Sequence, residues 1–325
     1  MKKINAGIVG YGNLGKALEE ILLSDKNFNL VKIFSRRENL TSKYGTGFDR
    51  TVNLEKYKND IDVLFLCVGS FNDIEKISIK AIENFNTVDS FDTHKKLKDY
   101  IFSLDTKGKL FKKVALSAFG WDPGLMSLIR VLFDSISEDE GVSNSFWGTG
   151  VSQGHSDALR RVNGVKNAIQ YTVPNREIIL KCKRQFKYTP SDYEKHKRIC
   201  FVAENLDENK DKIETEIINM PNYFSGYETE VNFVEENKIE KMQKKLSHKG
   251  YIVDNFKILN QYTSTLEFSL KLASNPHFTA RMMSVGGKIV NKLFEEEKFG
   301  AYSILDIPIK YFSDLKRDDL LSKKL

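Results

Sequence analysis

Cysteine is scarce in this chain: Cys67, Cys182 and Cys200 are the only three in 325 residues. None falls in a CxxC or in a Cys/His spacing suited to zinc, and an odd, sparse set fits a reducing cytoplasm. Long apolar runs are missing as well. No stretch reaches the 18 residues of a membrane-crossing helix, which excludes such a span. The opening MKKINAGIVGYG has two lysines but no signal-length apolar segment before its polar turn, so a cytoplasmic protein is expected. Charge of one sign is lacking too: 50 basic against 44 acidic residues leaves 50 − 44 = +6, with the two signs interspersed. Without a dense basic arm, nucleic acid is not an expected partner. The mild excess instead suits an anionic cofactor or substrate. There is no internal repeat and no low-complexity linker. What remains is 41% hydrophobic and 29% charged, a globular composition with length enough for two domains.

The stretch from Ala6 to Leu22 organises the rest. Gly7-Ile8-Val9 reads as a buried parallel strand, and Ala17, Leu18, Ile21 and Leu22 recur at helical spacing. Between them lies Gly10-Tyr11-Gly12-Asn13-Leu14-Gly15, a GxGxxG turn. Alone that pattern is weak. Between a strand and a helix it predicts a dinucleotide site. Gly10 permits the tight turn, Gly12 lets a pyrophosphate approach the backbone, and Gly15 lets helix and strand pack closely. The first helical N–H groups then face the anion.

The next strand, Leu30 to Phe34, runs into Ser35-Arg36-Arg37. An enzyme using NAD usually has an acid here for the ribose 2′-OH. A hydroxyl and two guanidiniums suit a 2′-phosphate better, since the planar fork makes paired charged bonds. The plainer reading is a solvated basic turn. Position relative to the glycine turn favours NADP.

Strand and helix alternate to about residue 120, with further strands at 62–68, 86–89 and 113–117. Asn72 or Asp73 can cap the helix through Ala81. This pattern builds a doubly wound parallel sheet, whose ligands bind beyond the carboxyl ends of the strands. Gly69-Ser70, Asp92 and Trp121-Asp122 all fall at such ends. From about 145 the texture shifts, and strands follow at 167–173, 197–202, 227–234, 256–258 and 264–272, the pattern of an α+β unit with an open mixed or antiparallel sheet. Arg160-Arg161 fall near the middle of a helix-compatible stretch, and 204–217 reads as a solvated helix. Residues 277–297 read as a helix whose Gly286-Gly287 suggest close packing.

The sequence resembles the meso-diaminopimelate dehydrogenase family along essentially its whole length. The shared strings are VGYGNLG (9–15), IFSRR (33–37), VLFLC (63–67), GWDPG (120–124), FWG (146–148), SQGHSDALRR (152–161), QYT (170–172), HKR (196–198) and EVNF (230–233). The resemblance implies an NADP-binding Rossmann domain at 1–122, a substrate-binding and dimerisation domain at 123–274, and a segment 275–325 returning to the first. It implies a homodimer and reversible oxidative deamination at the D-centre of meso-2,6-diaminopimelate, giving L-2-amino-6-oxopimelate, ammonia and NADPH. The cofactor would meet Gly10 to Gly15, Ser35, Arg36 and Arg37, then Cys67, Val68, Gly69 and Ser70, then Ser90, Phe91 and Asp92, then Phe119, Gly120, Trp121, Asp122 and Pro123. The substrate would meet Asp92, Asp122, Trp147, Gln153, Gly154, Thr172, Arg198, His248 and Asn275. His248 lies in a segment that matches the family weakly.

That substrate has two ammoniums and two carboxylates on an apolar chain. Asp92 and Asp122 are the expected catalytic pair, holding the reacting amine, and Arg198 can grip a carboxylate with two parallel bonds. Each has a plain rival. By itself Asp122 before Pro123-Gly124 reads as a turn former, Trp121 and Trp147 as core, and Arg160-Arg161 as a solvated face or an interface. His155 can cap a helix or orient a neighbour. Two other functions fit the same residues: a dehydrogenase of other D-amino acids, and an NADP-binding regulator without catalysis. A zwitterion clamp of two acids and an arginine speaks against the regulator.

Overall fold

Parallel strands linked through helices begin the chain. The structure, a computed structural model, describes residues 2–69, 73–137, 143–205 and 209–325. It forms two compact units, 1–128 with 276–325 and 129–275. The first unit opens with β1 (Ile4–Val9), α1 (Asn13–Ser24), β2 (Phe28–Ser35) and a short β3 (Phe48–Arg50). Next come β4 (Val63–Leu66), α2 (Ile74–Ala81), β5 (Asn86–Asp89), α3 (Leu97–Phe111) and β6 (Val114–Leu116). Helix α4 (Leu125–Ile136) contains the boundary between the units. Every residue of β4 is buried, which is why it reads as an unbroken apolar run: both faces of a parallel sheet are covered.

The second unit starts with β7 (Asn144–Trp147), β8 (Gly150–Val151), α5 (Gln153–Leu159) and β9 (Val165–Pro174). It continues through α6 (Arg176–Arg184), α7 (Asp192–Lys195), β10 (His196–Glu204), α8 (Lys210–Ile218) and β11 (Glu228–Phe233). Helix α9 (Glu236–Gln243) and a long hairpin, β12 (His248–Ile258) with β13 (Tyr262–Leu272), complete it. The strands make two sheets rather than one. One is mixed, ordered β11-β10-β9-β8, and the other antiparallel, β13-β12-β7. The chain leaves one sheet for the other at Gly148, whose φ of +106° favours glycine. Two local expectations are corrected here. Helix α5 ends at Leu159, so Arg160 is its C-cap rather than its middle. Its guanidinium donates to the Ala168 carbonyl at 2.7 Å and pairs with Asp157. Helix α8 is not solvated all round, because Ile213 and Ile217 are buried against Leu159, Val202 and Phe224.

The chain then returns to the first unit through α10 (Asn275–Glu295) and β14 (Gly300–Tyr302). Among the described residues the first unit's sheet has the order β14-β6-β5-β4-β1-β2-β3, all parallel. The glycine pair of α10 lies flat on it. A Cβ on Gly286 would come within 3.0 Å of the Phe119 ring, and one on Gly287 within 2.5 Å of Phe65. The sheet order reverses between β1 and β4, which places the ligand crevice of such folds at their carboxyl ends.

Candidate cofactor and substrate sites

At that switch point Gly10 has a φ of +96°, and a Cβ there would lie 2.5 Å from the Cys67 carbonyl oxygen. Gly15 is tighter still: its Cβ would meet the Gly10 carbonyl at 2.1 Å. Gly12 differs, since nothing lies within 4 Å of where its Cβ would be. The first two glycines are demanded by the protein itself. Gly12 leaves room for something else. It is also the N-cap of α1 and offers no side-chain cap, so the helix's first N–H groups remain available to an anion. The turn is braced from below. Tyr11 donates to the fully buried Glu19 at 2.5 Å, and Ser42 donates to the same carboxylate. Nothing in the sequence marks Glu19 as different from its neighbour Glu20.

The crevice is lined by Gly10, Tyr11, Gly12, Ser35, Arg36 and Arg37, with Val68, Gly69 and Asp73 opposite. Ser35 is buried and its Oγ accepts the Arg37 N–H at 3.1 Å. Arg37 also donates to the Tyr11 carbonyl at 2.6 Å. Arg36 holds both carboxylate oxygens of Asp73, at 3.0 and 2.6 Å. Asp73 therefore does not cap α2 with its side chain, although it is the N-cap residue. The Arg36 side chain is 68% exposed, and pairs so exposed are worth at most about 1 kcal/mol, so a phosphate dianion can compete for it. Cys67 is buried and its thiol pKa is pushed up by desolvation, making it a core residue bordering the crevice. Ser70 and Asn72 lie outside the described residues.

The two candidate acids follow adjacent strands. Asp92 comes three residues after the end of β5 and is exposed; Asp122 follows β6 and is half-buried. Ser90, two residues before Asp92, is half-buried, while Phe91, Phe119, Gly120, Trp121 and Pro123 are buried. The turn 120–124 is closed by the Gly120 N–H on the Pro123 carbonyl at 3.1 Å and by the Met126 N–H on the Trp121 carbonyl at 2.8 Å. Beneath both loops lies a residue that sequence reasoning missed. Asp89 is fully buried and accepts hydrogen bonds from Phe91, Tyr100, Ser117 and Ala118.

In the second unit, antiparallel register sets Arg198 of β10 directly opposite Thr172 of β9. The guanidinium donates to the Thr172 hydroxyl at 2.7 Å and lies 4.0 Å from the Tyr227 ring centre. It is only 8% exposed, its Nε has no hydrogen-bond partner among the described residues, and burial lowers its pKa. No carboxylate forms an ion pair with it among those residues. A buried cation with neutral neighbours and an unmet donor is built for an anion.

Thr172 is also register-paired with Gly150 of β8, and a Cβ on Gly150 would lie 2.2 Å from the His248 ring. Arg198, Thr172 and His248 thus follow one another across this unit. Gln153 and Gly154 open α5 and are exposed, Trp147 ends β7 and is half-buried, and Asn275 is half-buried with its N–H on the Leu246 carbonyl at 2.7 Å. Two histidines are neutral supports. His196 accepts the Trp147 N–H at 2.9 Å and stacks on the indole. Burial and the nearby Arg198 charge bring its pKa down to about 3. His155 contacts Ser152, the N-cap of α5, at 2.6 Å, and the same two causes bring its pKa down to about 4. His155 therefore orients a neighbour.

Among the described residues no group of His, Cys, Asp or Glu is arranged to hold a metal, and no helix is long and apolar enough to cross a membrane. The doubly wound sheet and its glycine turn define a dinucleotide-binding protein. Residues 120–274 match the diaminopimelic acid dehydrogenase C-terminal domain. The meso-diaminopimelate D-dehydrogenase of Ureibacillus thermosphaericus is 39% identical over 100% of both chains. A C. glutamicum DAP dehydrogenase solved in complex with DAP is 35% identical, with a TM-score of 0.92 over 100% of both chains. An engineered D-amino acid dehydrogenase bound to NADP+ is 33% identical, with a TM-score of 0.88 over 100% of both chains. The chain belongs to the meso-diaminopimelate D-dehydrogenase family.

Proposed function

We propose that this chain catalyses the NADP-dependent, reversible oxidative deamination of the D-centre of meso-2,6-diaminopimelate to L-2-amino-6-oxopimelate and ammonia. The observation that carries this reading is the 39% identity to a meso-diaminopimelate D-dehydrogenase over the full length of both chains. The first unit's residues fit NADP: an open Gly12, an uncapped α1 start and two guanidiniums beside Ser35. Bound there, NADP supplies the acceptor for the substrate's hydride. Gly10 to Gly15 hold the pyrophosphate, while Ser35, Arg36 and Arg37 hold the 2′-phosphate. Residues 67–69, 90–92 and 119–123 would border the rest of the cofactor.

Asp92 and Asp122 hold the reacting amine by charge. An amine gives up hydride only after its ammonium has lost a proton, and two carboxylates then stabilise the positive charge returning to nitrogen. Arg198, with Thr172 and His248, grips the carboxylate at the end that does not react. Trp147, Gln153, Gly154 and Asn275 complete the contacts. This residue set comes from the family resemblance and is supported by the burial of Arg198 and by its Nε, which has no hydrogen-bond partner among the described residues.

The protein works as a cytoplasmic homodimer on this reading. Support comes from the resemblance and from Val131, Leu132 and Ile136 of α4, each about half exposed. Light scattering giving the mass of a single chain would contradict the dimer. For the reaction, NADP and meso-diaminopimelate mixed with the protein should yield NADPH and ammonia in equal amounts. NADPH without ammonia would exclude deamination.

A further inference from the structure

Asp89 closes β5 with no side-chain exposure, and its carboxylate is saturated. Oδ1 accepts the Phe91 N–H at 2.9 Å and the Ala118 N–H at 3.1 Å. Oδ2 accepts the Tyr100 hydroxyl at 2.7 Å and the Ser117 hydroxyl at 2.6 Å. Its own peptide carbonyl accepts the Phe119 N–H at 2.9 Å. A carboxylate has about four lone-pair sites, and four donors fill them. Burial raises the carboxyl pKa while the four donors oppose that rise. With no site left over, Asp89 has no reach toward a substrate.

Its partners explain its use. Phe91 precedes Asp92, and Ser117 to Phe119 begin the turn that presents Asp122. Ala118 has a φ of +54°, a left-handed backbone that is costly for a residue with a Cβ, and its N–H points at Asp89. Tyr100 ties the same carboxylate to α3, and its hydroxyl lies 2.8 Å from Ser78 of α2. One buried anion thus fastens both loops that carry the candidate amine-binding acids. We propose that Asp89 is a positioning residue that fixes the loop after β5 to the loop after β6, and so sets where Asp92 and Asp122 stand toward the reacting amine. This inference rests on the proposed function.

The test uses full-length Ser117→Ala and Tyr100→Phe, each of which removes one donor, alongside Asp89→Asn, which keeps the shape and removes the charge. Turnover of meso-diaminopimelate, the isotope effect with deuterium at the D-centre, NADP affinity and thermal melting are read together. Positioning predicts at least a tenfold fall in kcat for Asp89→Asn and smaller falls for the other two. The isotope effect should be larger than in the parent, because a misplaced amine slows the chemical step. NADP affinity should stay within about twofold. A purely structural role predicts lower melting temperatures with parental kcat and isotope effect in the folded protein, and that result overturns the inference. If Asp89→Asn does not fold, the other two variants decide it by the same readouts. A parent protein inactive on meso-diaminopimelate overturns the functional reading and this inference with it. An active parent with kinetically unchanged variants overturns this inference alone.

Discussion

Arg198 and Thr172 are exact cross-strand partners, and the guanidinium donates to the hydroxyl at 2.7 Å. Register alone brings together two residues 26 positions apart. The pair is buried, and its guanidinium keeps donors for an outside acceptor. Arg198→Met should therefore raise the KM for meso-diaminopimelate steeply, by tenfold to a hundredfold for the loss of about 1.5–3 kcal/mol of charged hydrogen bonding. kcat should fall with it, because the distant grip also aligns the reacting carbon. Steady-state kinetics check this, and unchanged values would remove Arg198 from the site.

Arg36 and Arg37 should decide cofactor choice. Removing either by Ala should weaken NADP by roughly tenfold to a hundredfold and NAD far less. Arg37 braces the glycine turn through the Tyr11 carbonyl, so Arg37→Ala should disturb NAD more than Arg36→Ala does. Titrations with both cofactors test this. Equal losses for NAD and NADP in both variants would end the assignment.

Two glycines should fail in opposite ways. A Cβ on Gly287 would lie 2.5 Å from Phe65, so Gly287→Ala should overpack the sheet and cost about 1–3 kcal/mol of stability. Gly12 has open space, so Gly12→Ala should melt like the parent yet bind NADP much more weakly. Melting curves and cofactor titrations on both variants separate the roles.

What the sequence makes legible is what lies within a few residues of itself. The glycine turn is one continuous string, and β4 shows as an apolar run whose end points to the ligand side. Partnerships across the fold leave no such trace. Asp73 holds Arg36 from 37 residues away, Asp89 gathers donors up to 29 residues off, and Glu19 looks like any helical glutamate. The split into two small sheets turns on the backbone at Gly148. Arg198, Thr172 and His248 are nominated only by family resemblance, because their meeting depends on register and on the missing side chain of Gly150.

The second unit should lose stability in mild acid. His155 and His196 have folded pKa values of about 4 and 3, against 6.5 for the ordinary side chain. The unfolded chain thus binds more protons between those values, and folding is penalised as pH falls. Stability from their neutral state is complete above about 6.5 and is lost progressively toward their folded pKa values. By pH 5 each should cost on the order of 2 kcal/mol. Melting at about pH 7.5 and 5 should show the drop, and His196→Gln should make it shallower. A variant with the parent's full pH slope would contradict the role given to His196.

On the proposed function, the enzyme holds both ends of one substrate and oxidises only its D-centre. The most direct measurement of this is the initial rate of NADPH formation with meso-diaminopimelate, L,L-diaminopimelate and D-alanine under identical conditions. Rapid turnover of the meso form, with little on L,L-diaminopimelate and little on D-alanine, is the predicted result. The L,L form offers no D-centre, and D-alanine has no second carboxylate for Arg198. Equal rates on the meso and L,L forms, or faster turnover of D-alanine, would contradict it.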